Sequence, residues 1–408
     1  MIVDLVNYSD SRGGAARAAL RLHRALLKSA TKSRLRVVEQ QLDEAGIQGV
    51  TSSFSRATFR AKAKAGRVLV RALSSKGDDS ASAAFFRSPL LRQLNRSDAE
   101  IVHLHWVNAE TLSIEDIGKI QKPVVWTMHD MWAIAGARHY EEGTRWKNGY
   151  SDGSRFSLDR WVWGRKARNW GGIQVVAPSN WLAEMVRDSP LFGDLPVCVI
   201  PNAIDTNTWR PHCKVEAKKT LGIPSHDIPL ISFVAMKGKH NRLKGSDLLG
   251  ETLRILYQMG QEFELLVVGE SRPASGGGWP VTAHYPGFLK DDELLNLAYS
   301  ASDLLMIPSR QDNLPNTGVE ALASGTPIAC FDIGGMSDLV DDGRSGCIAK
   351  PFDCNELASK VRAMLEAGSG RKKQMAFAAR SEAENRFSEP IVSAAHNDLY
   401  RSLLRKPD

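Results

Sequence analysis

No run in these 408 residues approaches the roughly 18 consecutive apolar positions that a membrane-crossing helix requires. The first residues lack a basic stretch followed by an apolar one, so no secretory signal is expected. Cysteine is scarce. The five present, Cys198, Cys213, Cys330, Cys347 and Cys354, are scattered, odd in number and never paired as C-x-x-C. Reduced thiols and a cytoplasmic location follow as expectations. A G-x-G-x-x-G fingerprint is also missing, which argues against a simple nicotinamide dehydrogenase. There is no internal repeat and no low-complexity tract.

What is present is an uneven charge. The net is +8 over residues 1–205 and −1 over the remainder, so an anionic partner is expected for the first half. The basic excess peaks at Arg56–Lys76, where Arg56, Arg60, Lys62, Lys64, Arg67, Arg71 and Lys76 stand without an acidic residue. Phe59, Ala63, Val70 and Leu73 recur beside them at helical spacing. Two readings stand: a basic amphipathic helix lying on an anionic membrane surface, or a surface helix whose apolar stripe packs on its own domain. Nucleic acid is a weaker partner, because aromatic residues are not interleaved among the cations and no recognition motif accompanies them.

The length suits two domains better than one. Apolar runs alternate with helical stretches. Strands are expected at Ile2–Val6, Leu35–Glu39, Ile101–His105, Val124–Met128, Ile173–Ala177 and Val197–Ile200. A second series follows at Leu230–Ala235, Phe263–Val268, Leu304–Ile307 and Ile328–Phe331. Runs this apolar suit strands buried on both faces of parallel sheets. The break between the series, near Pro201–Pro211, divides a first domain (1–205) from a second (206–386). The closing helical patterns, Arg371–Arg386 and Glu389–Leu404, have no strand after them. The final helix, about 387–408, is therefore expected to cross back to the first domain.

Several local patterns carry chemistry. Gly13 and Gly14 follow the first strand and open a helix, which would let the backbone approach a phosphate at the helix N-terminus; a tight turn explains the pair equally well. The string Pro308-Ser-Arg-Gln-Asp-Asn-Leu-Pro-Asn-Thr-Gly-Val-Glu-Ala-Leu-Ala-Ser-Gly-Thr-Pro327 follows a buried strand and runs into the next one. It places Asp312 in a loop and Glu320 on a helix, at the strand ends where open α/β sheets bind ligands.

This string resembles the donor-site signature of the family 4 glycosyltransferases. That signature has two acidic residues with seven positions between them, then Gly-Thr-Pro and a Gly-Gly turn, here Asp312, Glu320, Gly325-Thr326-Pro327 and Gly334-Gly335. The resemblance implies the GT-B fold: α/β, with two Rossmann-like domains facing each other across a cleft. It further implies that Glu320 binds the ribose hydroxyls of a UDP- or GDP-sugar, and that Asp312 holds the sugar. Asn313, Leu314, Pro315, Asn316 and Thr317 would approach the sugar and diphosphate, as would Gly13 and Gly14. Arg242-Leu-Lys-Gly-Ser-Asp247 is similar to the loop whose Lys, here Lys244, contacts the diphosphate. For the accompanying Arg, the stretch Met236-Lys-Gly-Lys-His240 leaves Lys237, Lys239 or Arg242 as substitutes. Pro286-Gly-Phe288 resembles the turn that meets the nucleobase, with Phe288 at its end. In Thr127-Met-His-Asp-Met-Trp132, His129 matches the active-site His, and Asp130 is the candidate to orient it. Asp130, Trp132 and His139 would stand on the acceptor side. Arg138-His-Tyr140 and Arg145-Trp146 resemble the bacterial polysaccharide, colanic-acid-type subgroup. Its acceptors would be glycans or lipid-linked oligosaccharides, handled at the inner face of the cell membrane.

The implied reaction is retaining and needs no cofactor and no metal, in keeping with the absence of a D-x-D string. Two other function classes remain open on the residues. One is a zinc-dependent hydrolase using His103, His105 and His129. The other is a non-catalytic glycan- or lipid-surface-binding protein on the same fold.

Overall fold

The computed structural model describes residues 1–50, 53–74, 81–151, 157–234, 242–271, 278–289 and 291–405. The chain forms two compact units: Met1–Ala203 together with Val392–Asp408, and Ile204–Ile391. The change of unit comes two residues before the boundary expected at 205.

The first unit carries a sheet of seven parallel strands. They are β1 (Ile2–Ser9), β2 (Lys32–Glu39), β3 (Ile47–Gly49), β4 (Ile101–Leu104), β5 (Val124–Thr127), β6 (Ile173–Ala177) and β7 (Val197–Val199), in the order β3-β2-β1-β4-β5-β6-β7. Its helices in chain order are α1 (Gly14–Lys28), α2 (Ser53–Leu73), α3 (Leu90–Arg96), α4 (Ile114–Ile117), α5 (Leu158–Asn169) and α6 (Asn180–Arg187). The second unit adds α7 (Lys214–Thr220), β8 (Leu230–Val234), α8 (Ser246–Gln258), β9 (Glu264–Val268), β10 (Ala283–Gly287), α9 (Asp292–Ala301), β11 (Leu304–Ile307), α10 (Asn316–Ala323), β12 (Ile328–Phe331), α11 (Met336–Leu339), β13 (Gly346–Ala349), α12 (Cys354–Glu366) and α13 (Ser369–Glu382). Its six strands, again all parallel, run β10-β9-β8-β11-β12-β13.

The strands legible in the sequence are those buried on both faces, such as β4, β5, β6, β9, β11 and β12, where every residue is buried. The three strands that periodicity does not reveal, β3, β10 and β13, all lie at sheet edges. β3 and β13 are only three and four residues long, and β10 is half-buried along its length and holds Pro286 and Gly287, so none gives a long apolar run.

Each sheet reverses its winding once, between β1 and β4 and between β8 and β11. At such a switch point the loops leaving neighbouring strands part to opposite faces and open a crevice beyond the carboxyl ends.

The last helix, α14 (Glu389–Leu404), returns to the first unit. Val392, Leu399 and Tyr400 pack with Val3, Leu5, Leu26, Val125 and Val176. Thr31 Oγ1 donates to Asn397 Oδ1 at 2.8 Å, and the fully buried Tyr400 meets His103 Nδ1 on β4 at 2.6 Å. Tyr400→Ala removes a large core side chain and is expected to cost roughly 3–5 kcal/mol. Tyr400→Phe removes only the hydroxyl and costs about 1–3 kcal/mol, by stranding a buried partner. Urea unfolding midpoints for the two variants should fall in that order; equal midpoints would mean that the ring contributes little to the core.

Candidate active site

In the second unit the site grows from the switch point. The 3₁₀ turn Arg242–Lys244 precedes α8, and the loop after β11 carries Asp312. Lys244 Nζ meets Asp312 Oδ2 at 2.6 Å, with the Lys side chain about one-third exposed and Asp312 largely buried. Arg310 laces the same loops: its backbone N–H donates to the Leu243 carbonyl at 2.7 Å, and its guanidinium holds both oxygens of Asp247 at 2.6 and 2.7 Å. The approach needs glycine at two points. Gly245 has φ +66°, and a Cβ there would stand 1.9 Å from the Pro308 carbonyl oxygen. Gly334 has φ +56°, and a Cβ there would stand 2.0 Å from the Asp312 carbonyl oxygen. The Gly-Gly turn of the sequence is thus what lets Gly335 N–H donate to that carbonyl at 3.1 Å.

Glu320 lies on α10, eight positions beyond the loop carboxylate, and is fully buried. The Tyr299 hydroxyl on α9 donates to Glu320 Oε2 at 3.1 Å, and Thr326 Oγ1 donates to the Tyr299 carbonyl at 2.8 Å. Gly-Thr-Pro therefore fixes the helix that supports Glu320. Tyr299 has no local signal in the sequence. Asn313, Leu314 and Pro315 are buried along the same loop, Asn316 and Thr317 are half-buried in the first turn of α10, and Phe288 is exposed after β10. Lys237 and Lys239 lie outside the described residues, as does the side chain of Arg242.

In the first unit Gly13 and Gly14 lead from β1 into α1, beside the β1/β4 switch point. His105 follows β4 and His129 follows β5. His105 Nδ1 and His129 Nε2 stand 3.0 Å apart with their rings stacked. Asp130 does not orient His129. Its Oδ2 is taken by His139 Nδ1 at 2.6 Å and Trp106 Nε1 at 3.2 Å, and its Oδ1 by the Trp132 N–H at 2.9 Å. Burial alone would raise this carboxyl; the adjoining His139 and the hydrogen bonds outweigh it and hold it below its usual range. The other ring nitrogen of His139 meets Ser82 Oγ at 2.9 Å.

Trp132 is a core residue. It is 1% exposed, too enclosed to touch an acceptor. Lys166 on α5, itself fully buried, places its ammonium 4.0 Å from that ring and donates to the carbonyls of Trp132, Ala135 and Gly136. Burial pulls the pKa of Lys166 well below the usual lysine value, against Asp130 and Asp159, and its contacts to three carbonyls tie down the loop between His129 and His139. His103 is likewise not a metal ligand: Tyr400 and Thr127 Oγ1 (2.7 Å) engage both of its ring nitrogens. Among the described residues no group of three His, Cys, Asp or Glu is arranged to hold a metal ion.

On α2, Phe59, Ala63 and Val70 are buried, so the apolar stripe is spent on its own unit. Arg56, Arg60, Lys64, Arg67 and Arg71 line the exposed side; Lys76 lies outside the described residues. Among the described residues no helix is long and apolar enough to cross a membrane.

Residues 12–208 match the family described as Glycosyltransferase Family 4, and residues 229–367 match Glycosyl transferases group 1. The chain belongs to the family 4 glycosyltransferases. Over 352 residues this glycosyltransferase is 28% identical to D-inositol 3-phosphate glycosyltransferase of Xylanimonas cellulosilytica, covering 79% of this chain and 77% of that one. It is 26% identical to the putative colanic acid biosynthesis glycosyl transferase WcaC of Escherichia coli, over 56% of this chain and 57% of that one. Anabaena HepE, solved in complex with UDP-glucose, superposes with a TM-score of 0.66 at 15% identity, covering 98% of this chain and 100% of that one. The enzyme has the GT-B fold.

Burial depresses five histidines of the first unit among the described residues, His23 included. Burial pushes His129 down to about 4 against a weaker upward pull from Asp130, and His396 to about 4 against its bond to the Val392 carbonyl. Burial also holds His103 and His105 well below the usual range. A group depressed on folding contributes stability that is full above its unfolded value, about 6.5, and is lost as pH falls toward the folded value. The urea midpoint is therefore expected to hold near pH 7.5 and to drop between about pH 6.5 and 4, with a shallower drop in His396→Leu. A flat profile through that window would show that these rings are not held neutral.

Proposed function

We propose that this glycosyltransferase moves a sugar from a UDP- or GDP-sugar to a glycan or lipid-linked oligosaccharide in bacterial polysaccharide assembly, with retention of configuration and without a metal. The observation that carries this reading is the convergence of Lys244, Asp312 and the N-terminal turn of α10 beyond the strand ends at the β8/β11 switch point. The bound UDP-glucose of HepE supports the donor class, and the name of the Escherichia coli relative supports the pathway class. Lys244 neutralises the diphosphate as it leaves, where negative charge develops. Asp312 accepts from sugar hydroxyls and Glu320 from the ribose. Asn313 to Thr317, Phe288 and the Gly13–Gly14 turn contribute to donor binding. The acceptor hydroxyl attacks the anomeric carbon on the face the diphosphate leaves. The bond to the phosphate oxygen breaks, and that oxygen takes the acceptor's proton. No enzyme nucleophile is used. His129 acts beside the donor sugar, with Asp130 and His139 on the acceptor side.

A thermal-shift panel of nucleoside diphosphates and nucleotide-sugars should show a clear response to UDP or GDP. Glu320→Ala and Lys244→Ala should weaken that nucleotide about tenfold or more, the loss of a charge-assisted bond being about 1.5–3 kcal/mol. Glu320→Gln separates loss of the carboxylate from loss of packing. His129→Ala should chiefly lower turnover. Near-wild-type transfer by both Glu320→Ala and Lys244→Ala would mean that the donor binds elsewhere.

The acceptor partner places the enzyme at an anionic membrane surface in the cytoplasm, through the exposed cations of α2. With the apolar stripe buried, the contact is electrostatic, worth about 1 kcal/mol per cation near the surface. Sedimentation with phosphatidylglycerol-containing vesicles should be lost in neutral vesicles, in high salt, and in a variant with Arg56, Arg60, Lys64 and Arg67 changed to Gln. Salt-resistant binding would point to an inserted apolar element instead.

A further inference from the structure

His129 Nε2 meets a second histidine, and a neutral pair of rings can place only one proton between the two facing nitrogens. The proton belongs either to His105 Nδ1 or to His129 Nε2. The far side of His105 decides. Its Nε2 is buried and has no hydrogen-bond partner among the described residues, and the ring is 3% exposed. Were the His105 proton there, an N–H would be buried with nothing to accept it. Orphaned buried donors are rarer than under-used acceptors, because a lone pair left unpaired costs less than a stranded N–H. The ring cannot turn to improve matters. It stacks on His103 at 4.6 Å, and His103 is itself clamped between Tyr400 of α14 and Thr127 of β5.

We propose that His105 is the positioning residue of this site, donating its Nδ1–H to His129 Nε2 and thereby holding His129 as the Nδ1–H form. This rests on the reading of His129 as the residue beside the donor sugar. His129 Nδ1 has no hydrogen-bond partner among the described residues. It is thus left to offer a hydrogen bond to an oxygen of the bound sugar or acceptor, and it has no lone pair there with which to take a proton. The assignment fits a transfer in which the leaving phosphate oxygen, and not a histidine, is the base. The chain Tyr400–His103, stacked on His105, also makes the last helix a distant support of His129.

The test is a long-range ¹H–¹⁵N correlation spectrum of the wild-type enzyme labelled at histidine, with His129 assigned by substitution. The expected result is a protonated, pyrrole-type Nδ1 and an unprotonated, pyridine-type Nε2. His105→Leu should release this assignment and lower kcat about fivefold, the worth of one neutral hydrogen bond, with the donor KM changed less than about twofold. His105→Asn, whose amide N–H falls near the lost Nδ1–H, should restore most of kcat. A pyridine-type Nδ1 in the wild-type spectrum overturns the proposal, and that measurement needs no variant to fold. Wild-type kcat in His105→Leu beside an inactive His129→Ala also overturns the positioning role. Wild-type turnover in His129→Ala would instead remove His129 from the reaction, while the spectrum still decides which nitrogen holds the proton.

Discussion

The reversal of strand order beside β1 and beside β8 is the constraint on which both candidate sites depend. Right-handed crossovers send the connections on the two sides of a reversal to opposite faces of a parallel sheet, so only there do neighbouring strands end without a loop closing over them. Several candidate residues reach their places by following a strand to its carboxyl end. Lys244 comes after β8 and Asp312 after β11; Gly13 comes after β1, His105 after β4 and His129 after β5. Sequence separation is irrelevant to this assembly. Lys244 and Asp312 are 68 positions apart and 2.6 Å apart in space.

Around the loop after β5 the first unit encloses polar groups whose cost is offset by specific pairing. Lys166 finds three carbonyls. Asp130 is held by an N–H, an indole and an imidazole. A buried lysine or carboxylate without such partners would neutralise itself or unfold its surroundings. With them, it converts burial into rigidity, because no partner can leave without stranding another. The loop from His129 to His139 is held in this way. It carries no regular helix or strand, and side-chain bonds replace the ladder that would otherwise fix it.

Much of this was legible in the sequence. The central strands announce themselves because burial on both faces demands an unbroken apolar run, and the donor loop because its glycines and acids recur in a fixed string. The edge strands β3, β10 and β13 were not legible: β3 and β13 are short, at three and four residues, and β10 is only half-buried throughout and carries Pro286 and Gly287. Nor were Tyr299, Lys166 and Ser82. Each acts on a residue far along the chain, Tyr299 on Glu320 and Lys166 on the loop after Trp132, and nothing in its own neighbourhood requires it. The guess that Asp130 serves its neighbour His129 fails for a related reason. Adjacency in sequence is not adjacency of side chains, and the carboxylate finds His139 nine positions on.

The Lys244–Asp312 pair bears on why a donor loop would carry opposite charges in contact. A lone lysine at a crevice would face the desolvation cost of its own ammonium, and a lone carboxylate would repel a diphosphate. Paired at partial exposure, each screens the other, and the contact itself is worth little, on the order of 1 kcal/mol or less. A weak resting pair is easily exchanged. A diphosphate carries more charge than one carboxylate and presents it at several oxygens, so the ammonium gains by turning to it. In the proposed donor complex Asp312, released, would then accept from sugar hydroxyls, which an ion-paired carboxylate does less well. On the proposed roles, binding of the anion and release of the carboxylate would be one step, and the ion pair leaves neither charge without a partner.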